Sequence, residues 1–122
     1  MSGERGRTTD RLTDPEDVKL VTLAKAARAR GGDKVGAAVR DGVGRTYAAC
    51  AVELPSLSLS AIQLAVAMAV SSGARDLEAV VGVGGDSALG ESDLSVVRDL
   101  AGSGVPIHHV DPDGRLVGST TT

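Results

Sequence analysis

"SAIQLAVAMAVSSGARDLEAVVGV", residues 60–83, is the stretch around which the rest of the chain must be arranged. From Ala61 to Val70 every residue except Gln63 is apolar. A helix with no polar face must be covered all round, by a sheet on one side and by other helices on the other. Gly73 stops it, and "LEAVVGVG" (77–84) then reads as a short strand whose near-continuous apolar run suits burial on both faces. "GESDLSVVRDLAGSG" (90–104) follows as a helix and "VPIHHV" (105–110) as a further strand. Helices and strands that alternate in this way predict a sheet with helices on both faces.

Upstream, "TDPEDVKLVTLAKAARARGG" (13–32) has the marks of a capped helix. Asp14 is placed to cap it, Pro15 occupies the first helical position, and Glu16 and Asp17 meet the positive end of the dipole. Arg28 and Arg30 meet the negative end before Gly31 and Gly32, and Leu20, Leu23, Ala24 and Ala27 form the apolar stripe. "KVGAAVRDGVGRTYAACAVEL" (34–54) alternates apolar and small residues on either side of Asp41-Gly42, which predicts two strands joined by a tight hairpin. After the last long strand, the "DPDG" turn (111–114) and "RLVG" (115–118) predict one more short strand. The expected fold class is α/β, a three-layer α-β-α arrangement on a mixed sheet of about five strands. Residues 13–118 form a single domain in this reading, flanked by disordered tails at 1–12 and 119–122, with no internal repeat.

Composition narrows the function. The 122 residues suffice for one domain, but the apolar content comes from Ala, Val and Leu, with no Phe, no Trp and only Tyr47 as an aromatic. Small side chains bury less area each, which favours additional burial between subunits. A net charge of -3 spread over both signs argues against nucleic acid or an anionic membrane surface as a partner. Cys50 is the single cysteine, so no disulfide forms within the chain. The opening "MSGERGRTTDR" lacks the apolar segment of a signal peptide, and no apolar run reaches the roughly 20 residues that span a bilayer. A cytoplasmic protein is expected. Ten Arg against three Lys, beside abundant Ala, Gly, Val and Asp, suggest a GC-rich bacterial genome.

The words "VGAAVRDGVGRTYAACAVE" and "SAIQLAVAMAVSSGARDLEAVVGV", in this order, resemble the cytidine deaminase family over residues 14–118. In that family the second helix begins Cys-Ala-Glu or His-Ala-Glu, and a later Pro-Cys-x-x-Cys begins another helix. The resemblance implies a zinc ligand and a proton-shuttling Glu at the first motif and two thiolates at the second, the metal-bound hydroxide attacking C4 of cytosine. Carried onto this chain, the first triplet falls on Ser60, Ala61 and Ile62, and the second motif on Ala88–Ser92, with Leu89 and Ser92 at the thiolate positions. A neutral hydroxyl is a poor zinc ligand beside thiolate or imidazole, and Ile62 carries no proton. The family's ribose-contacting Asn-x-Glu reads Ala51-Val52-Glu53, so only the carboxylate remains, and Asp33-Lys34 stand where an aromatic residue precedes the first strand. The loop from Glu53 to Ser60 is about two residues shorter than the family's. Ser60, Ile62, Leu89 and Ser92 are therefore vestigial site positions, with Glu53 as a ligand-contact candidate. No catalytic residue, metal ligand or cofactor is expected.

Other candidates have plainer readings. His108 and His109 are adjacent on a strand, point to opposite faces and cannot share an ion, so each reads as structural or surface. "GVGGDSALG" (82–90) lies where phosphates bind, after a strand and before a helix, but lacks GxGxxG and a Walker Lys and reads as an ordinary loop. Ser56 or Ser58 reads as the cap of the second helix, and Cys50 as a buried filler. Glu53 also fits a plain strand-end carboxylate.

Three classes of function remain, ranked in the order given, the first being the main reading and the others its alternatives. The first is a catalytically inactive deaminase-like protein, a pseudoenzyme, that acts as an oligomeric scaffold or binds an unknown protein partner. The second is a small-ligand, nucleoside-like binder using the cleft around Glu53, Ser60 and Ser92. The third is a divergent hydrolase, for which the sequence shows no general base. Homo-oligomerisation as a dimer or tetramer on the second helix is expected, because one sheet covers about half of so apolar a cylinder.

Overall fold

The structure, a computed structural model, describes residues 11–32, 34–85 and 90–122. In chain order the elements are helix α1 (Pro15–Arg30), strands β1 (Gly36–Arg40), β2 (Thr46–Cys50), β3 (Val52–Leu54) and β4 (Leu57–Leu59), helix α2 (Ala61–Ser71), strand β5 (Ala79–Val83), helix α3 (Glu91–Ala101), and strands β6 (Pro106–Val110) and β7 (Leu116–Thr121). The main sheet has five strands in the order β2-β1-β5-β6-β7. β5 and β6 run parallel and the other neighbours antiparallel, so the sheet is mixed as expected.

Side-chain alternation sorts the core into two layers. Ala38, Val81, Val83 and Val110 face α1 and meet Leu20 and Ala24. Ala37, Val39, Val80 and Ile107 face the other way, where Ile62, Ala65 and Val66 of α2 and Val97 of α3 cover them. Both faces of β1 and β5 are thus buried, which is why these strands read as unbroken apolar runs. Helix α2 buries Ala61, Ile62, Ala65, Val66 and Ala69, a 3-4 spacing that forms one stripe. Its other side, with Ala67, Met68 and Val70, is exposed, so the chain by itself covers α2 only in part.

The α1 cap is as read: Pro15 begins the helix and the Asp14 carboxylate accepts from the Glu16 N–H at 2.8 Å. The α2 cap is not. Ser60, rather than Ser56 or Ser58, accepts from the Gln63 N–H while the Gln63 side chain accepts from the Ser60 N–H, a reciprocal capping box. Ser58 lies instead in β4, which pairs with β3 as a separate two-stranded hairpin where the sequence suggested a loop.

Two turns share one design. In Asp41-Gly-Val-Gly44-Arg45 the Asp41 carboxylate accepts from the N–H groups of Val43 and Arg45, and its main chain exchanges bonds with Gly44 and Arg45. Asp111-Pro-Asp-Gly114-Arg115 repeats the same set through Asp113, Gly114 and Arg115. In both, the glycine takes a positive φ, +92° and +91°, which a side chain would resist. This recurrence, Asp-x-x-Gly-Arg, is a local repeat that a search for long periods passes over.

Both expected tails need correcting. β7 continues through Thr121, and the Thr122 hydroxyl accepts from the Val105 N–H at 3.0 Å and donates to the Gly102 carbonyl at 2.7 Å, so 119–122 is the end of the sheet. The polarity of Ser119 and the three threonines after it suggests a tail, but an edge strand is paired through its backbone whatever its side chains. At the other end, residues 1–10 lie outside the described residues, whereas Arg11 donates to the Asp113 carbonyl and Leu12 packs on the α1 layer. No helix among the described residues is long and apolar enough to cross a membrane.

Candidate functional site

The start of α2, the start of α3, the β3–β4 hairpin and the ends of β5 and β6 line an open cavity of about 400 Å³, within the usual range for small-molecule sites. Its apolar wall is Val35, Ala51, Leu59, Ala61 and Ile62, with Gly82 behind. Its polar groups are Glu53, Ser58, Ser60, Asp93 and His109.

Ser60 is held twice over. Its hydroxyl caps α2 and donates to the Asp93 carboxylate at 2.5 Å, which ties the first turns of α2 and α3 together. Asp93 belongs in that place electrostatically, since a carboxylate in the first turn of α3 meets the positive end of the helix dipole. Ile62 sits two residues on, only 3% exposed, and presents alkyl surface to the same space. Glu53 stands at the rim, its side chain 70% exposed and 3.7 Å from the Lys34 ammonium.

Of the positions singled out in the sequence, the structure brings Glu53, Ser60 and Ile62 to the cavity. Ser92 does not belong there. It is exposed, and the next residue, Asp93, is the one that faces Ser60. A helix turns 100° per residue, so a one-residue error in register moves a side chain off the site. Leu89 lies outside the described residues.

The two histidines separate as strand geometry requires. His108 turns to the α1 side, with Nδ1 2.8 Å from the Ser119 hydroxyl and Nε2 3.9 Å from Asp17. His109 is 5% exposed and turns into the cavity, its Nε2 2.7 Å from the Gly84 carbonyl. A carbonyl only accepts, so Nε2 carries the proton in that bond. His109, bonded to the Gly84 carbonyl, fits the plain structural reading and lines the cavity as well, which the sequence reading did not anticipate. Cys50 is half-buried on β2, against Gly31 and away from the cavity.

This donor set does not suit a tetrahedral zinc ion. Ser60 is a neutral hydroxyl already committed to Gln63 and Asp93, and Ile62 has no donor. Among the described residues no three of His, Cys, Asp and Glu gather about one point.

The fold has counterparts. The chain belongs to the cytidine deaminase-like family, whose sequence profile matches residues 13–114. The cytidine deaminase of Burkholderia pseudomallei is similar, with a TM-score of 0.73 at 25% identity, over 86% of this chain and 90% of that one. The cytidine deaminase of Mycobacterium tuberculosis gives a TM-score of 0.68 at 29% identity, over 79% of this chain and 86% of that one. No curated protein matches the chain in sequence.

Proposed function

We propose that this is a bacterial, cytoplasmic member of the cytidine deaminase-like family that does not deaminate, and that its cleft binds a small nucleoside-sized ligand without turning it over. The observation that carries this is a cavity of about 400 Å³ that Ile62 lines, an alkyl group where the family resemblance expects the proton-shuttling Glu. Zinc-dependent deamination needs a metal-activated water and a proton shuttle, and among the described residues no three of His, Cys, Asp and Glu gather to hold the metal, while Ile62 carries no proton. Glu53, Ser60, Asp93 and His109 instead set polar groups around an apolar wall, which is how binding pockets are built. A hydrolase would need a base for Ser60. Asp93 is close enough to take that part, but the same hydroxyl is the cap of α2, which favours a structural use of the pair.

The test is metal content and turnover on one preparation, with binding measured beside them. The expected outcome is no stoichiometric zinc, no conversion of cytidine or deoxycytidine, and a cytidine-dependent rise in melting temperature. One equivalent of tightly held zinc, or turnover above background, overturns the reading.

A second reading, assembly as a scaffold, is favoured by a separate observation. Met68 and Val70 on α2 and Leu54 and Leu57 on the β3–β4 hairpin are large apolar side chains left exposed in the single chain. A homo-oligomer would cover them, and assembly is compatible with ligand binding.

A further inference from the structure

Where α2 and α3 start, the side chains that line the cavity are Ser60, Ile62 and Asp93. Ser60 has one hydroxyl proton, which it gives to Asp93 Oδ1, and the same oxygen takes the Gln63 N–H, so the hydroxyl has no proton left for a ligand. A carboxylate only accepts. Asp93 is half-buried, and although Ser60 occupies its Oδ1, its Oδ2 has no hydrogen-bond partner and the residue no ion-pair partner among the described residues. Lys34, the cation at the rim, stands 3.7 Å from Glu53 instead. Ile62 adds alkyl surface alone.

These side chains therefore treat donors and acceptors on a ligand differently. An amino group turned to this end of the cavity gives a proton to Asp93 Oδ2, a hydrogen bond to a charged acceptor. A carbonyl turned the same way meets only lone pairs from Ser60 and Asp93 and forfeits its bonds to water.

We infer that Asp93 sets the specificity of the cleft, and that the ligand is a nucleoside-sized heterocycle carrying an amino or amidino group, held by a hydrogen bond from that group to Asp93 Oδ2. This rests on the ligand-binding reading of the cleft and adds to it the chemical handle on the ligand and the atom that grips it. Sites built to hydrogen-bond one polar group discriminate strongly against an analogue that lacks it, because a buried polar atom is then left unpaired.

Calorimetry on the full chain compares cytidine with two ligands of the same shape: uridine, which has a carbonyl in place of the amino group, and pyrimidin-2-one riboside, which has hydrogen there. Cytidine is expected to bind about tenfold or more tightly than either, as one charge-assisted bond made or lost allows. Asp93→Asn keeps an acceptor for the Ser60 hydroxyl and turns an amide N–H group to the cavity, so cytidine weakens and uridine gains, an inversion that a loss of packing would not produce. Equal affinities of the wild-type protein for all three ligands overturn the specificity assignment and leave the cleft reading standing. Benzamidine and benzamide supply a pair that needs no nucleoside. The amidinium is expected to bind, the neutral amide to bind at least about tenfold more weakly, and Asp93→Asn to remove the difference. If no nucleoside binds while benzamidine binding depends on Asp93, the nucleoside reading of the cleft falls and the donor preference of Asp93 stands. If benzamidine does not bind, or binds Asp93→Asn as well as wild type, the inference is overturned.

Discussion

Position 62 holds an isoleucine with 3% of its surface exposed, at the start of a helix whose first turn faces a cavity. Putting a carboxylate there moves a charge into an apolar wall, so Ile62→Glu is expected to lower stability by about 3 kcal/mol, measured by urea unfolding. A neutral effect would mean that water solvates the position. The same substitution restores no deaminase activity, because metal ligands and acid act as a unit. Ser60→Ala is expected to cost about 1 kcal/mol for the lost cap. Combined with Asp93→Ala it should show less than additive loss, the mark of a shared hydrogen bond. That Ile62 lies near the head of α2 was legible in the apolar run from Ala61 onward, but the cap was read two or four residues too early, at Ser58 or Ser56, because three serines in alternate positions each offer a capping hydroxyl and only the β3–β4 pairing selects Ser60. Asp93 was not legible. Nothing in "GESDLSVV" says which of Ser92 and Asp93 turns toward a helix some 30 residues earlier, because that depends on the angle at which α3 packs.

Among elements, the two Asp-x-x-Gly-Arg hairpins make stability respond to acid. Burial pushes the Asp41 carboxyl up, but the N–H groups of Arg45 and Val43, the Tyr47 hydroxyl and the Arg45 charge outweigh it and hold the pKa below its ordinary 3.8. At Asp111 the Arg115 N–H is the main cause of the same downward shift, against some desolvation, with the Asp113 N–H and nearby Arg115 and Arg11 adding to it. A carboxyl that is more acidic folded than unfolded binds fewer protons in the native state, so stability is greater at higher pH. Its contribution is fully present above the unfolded value and is lost as pH falls through the lowered folded value. Unfolding midpoints measured from pH 6 down to pH 2 should therefore decline below about pH 4. Asp41→Asn and Asp111→Asn should each flatten that decline. If the variants keep the wild-type slope, other carboxylates carry the acid sensitivity. The first hairpin was readable from Asp-Gly between alternating strands, as were α1 with its Asp14 cap and the buried strand β5. The β3–β4 hairpin was missed because three-residue strands have too few positions to show a period, and the length of β7 because polar side chains on an edge strand look like a tail.

For the whole molecule the deciding quantity is apolar surface left without cover. The core is made of Ala, Val, Leu and Ile, and α2 turns its small-residue stripe to the sheet, leaving Met68 38% and Val70 52% exposed on its far side. Leu54 and Leu57 on the β3–β4 hairpin are 59% and 48% exposed. Exposed Leu, Met and Val in one chain are ordinary when scattered, as Val18, Val43 and Val117 are here, but the other four sit on the helix that the sequence alone marked as apolar on nearly every side and on the hairpin that leads into it. A chain of 122 residues has no further helix among its described elements to cover that side, so a second copy is the simplest cover. Light scattering at micromolar concentration is expected to give a dimer or a tetramer. Val70→Asp places a charge on the exposed apolar side of α2 and should shift the mass toward the monomer while the far-ultraviolet circular dichroism is kept. A wild-type monomer at that concentration would falsify the assembly, and would leave the outer face of α2 as solvent-exposed surface that the fold tolerates.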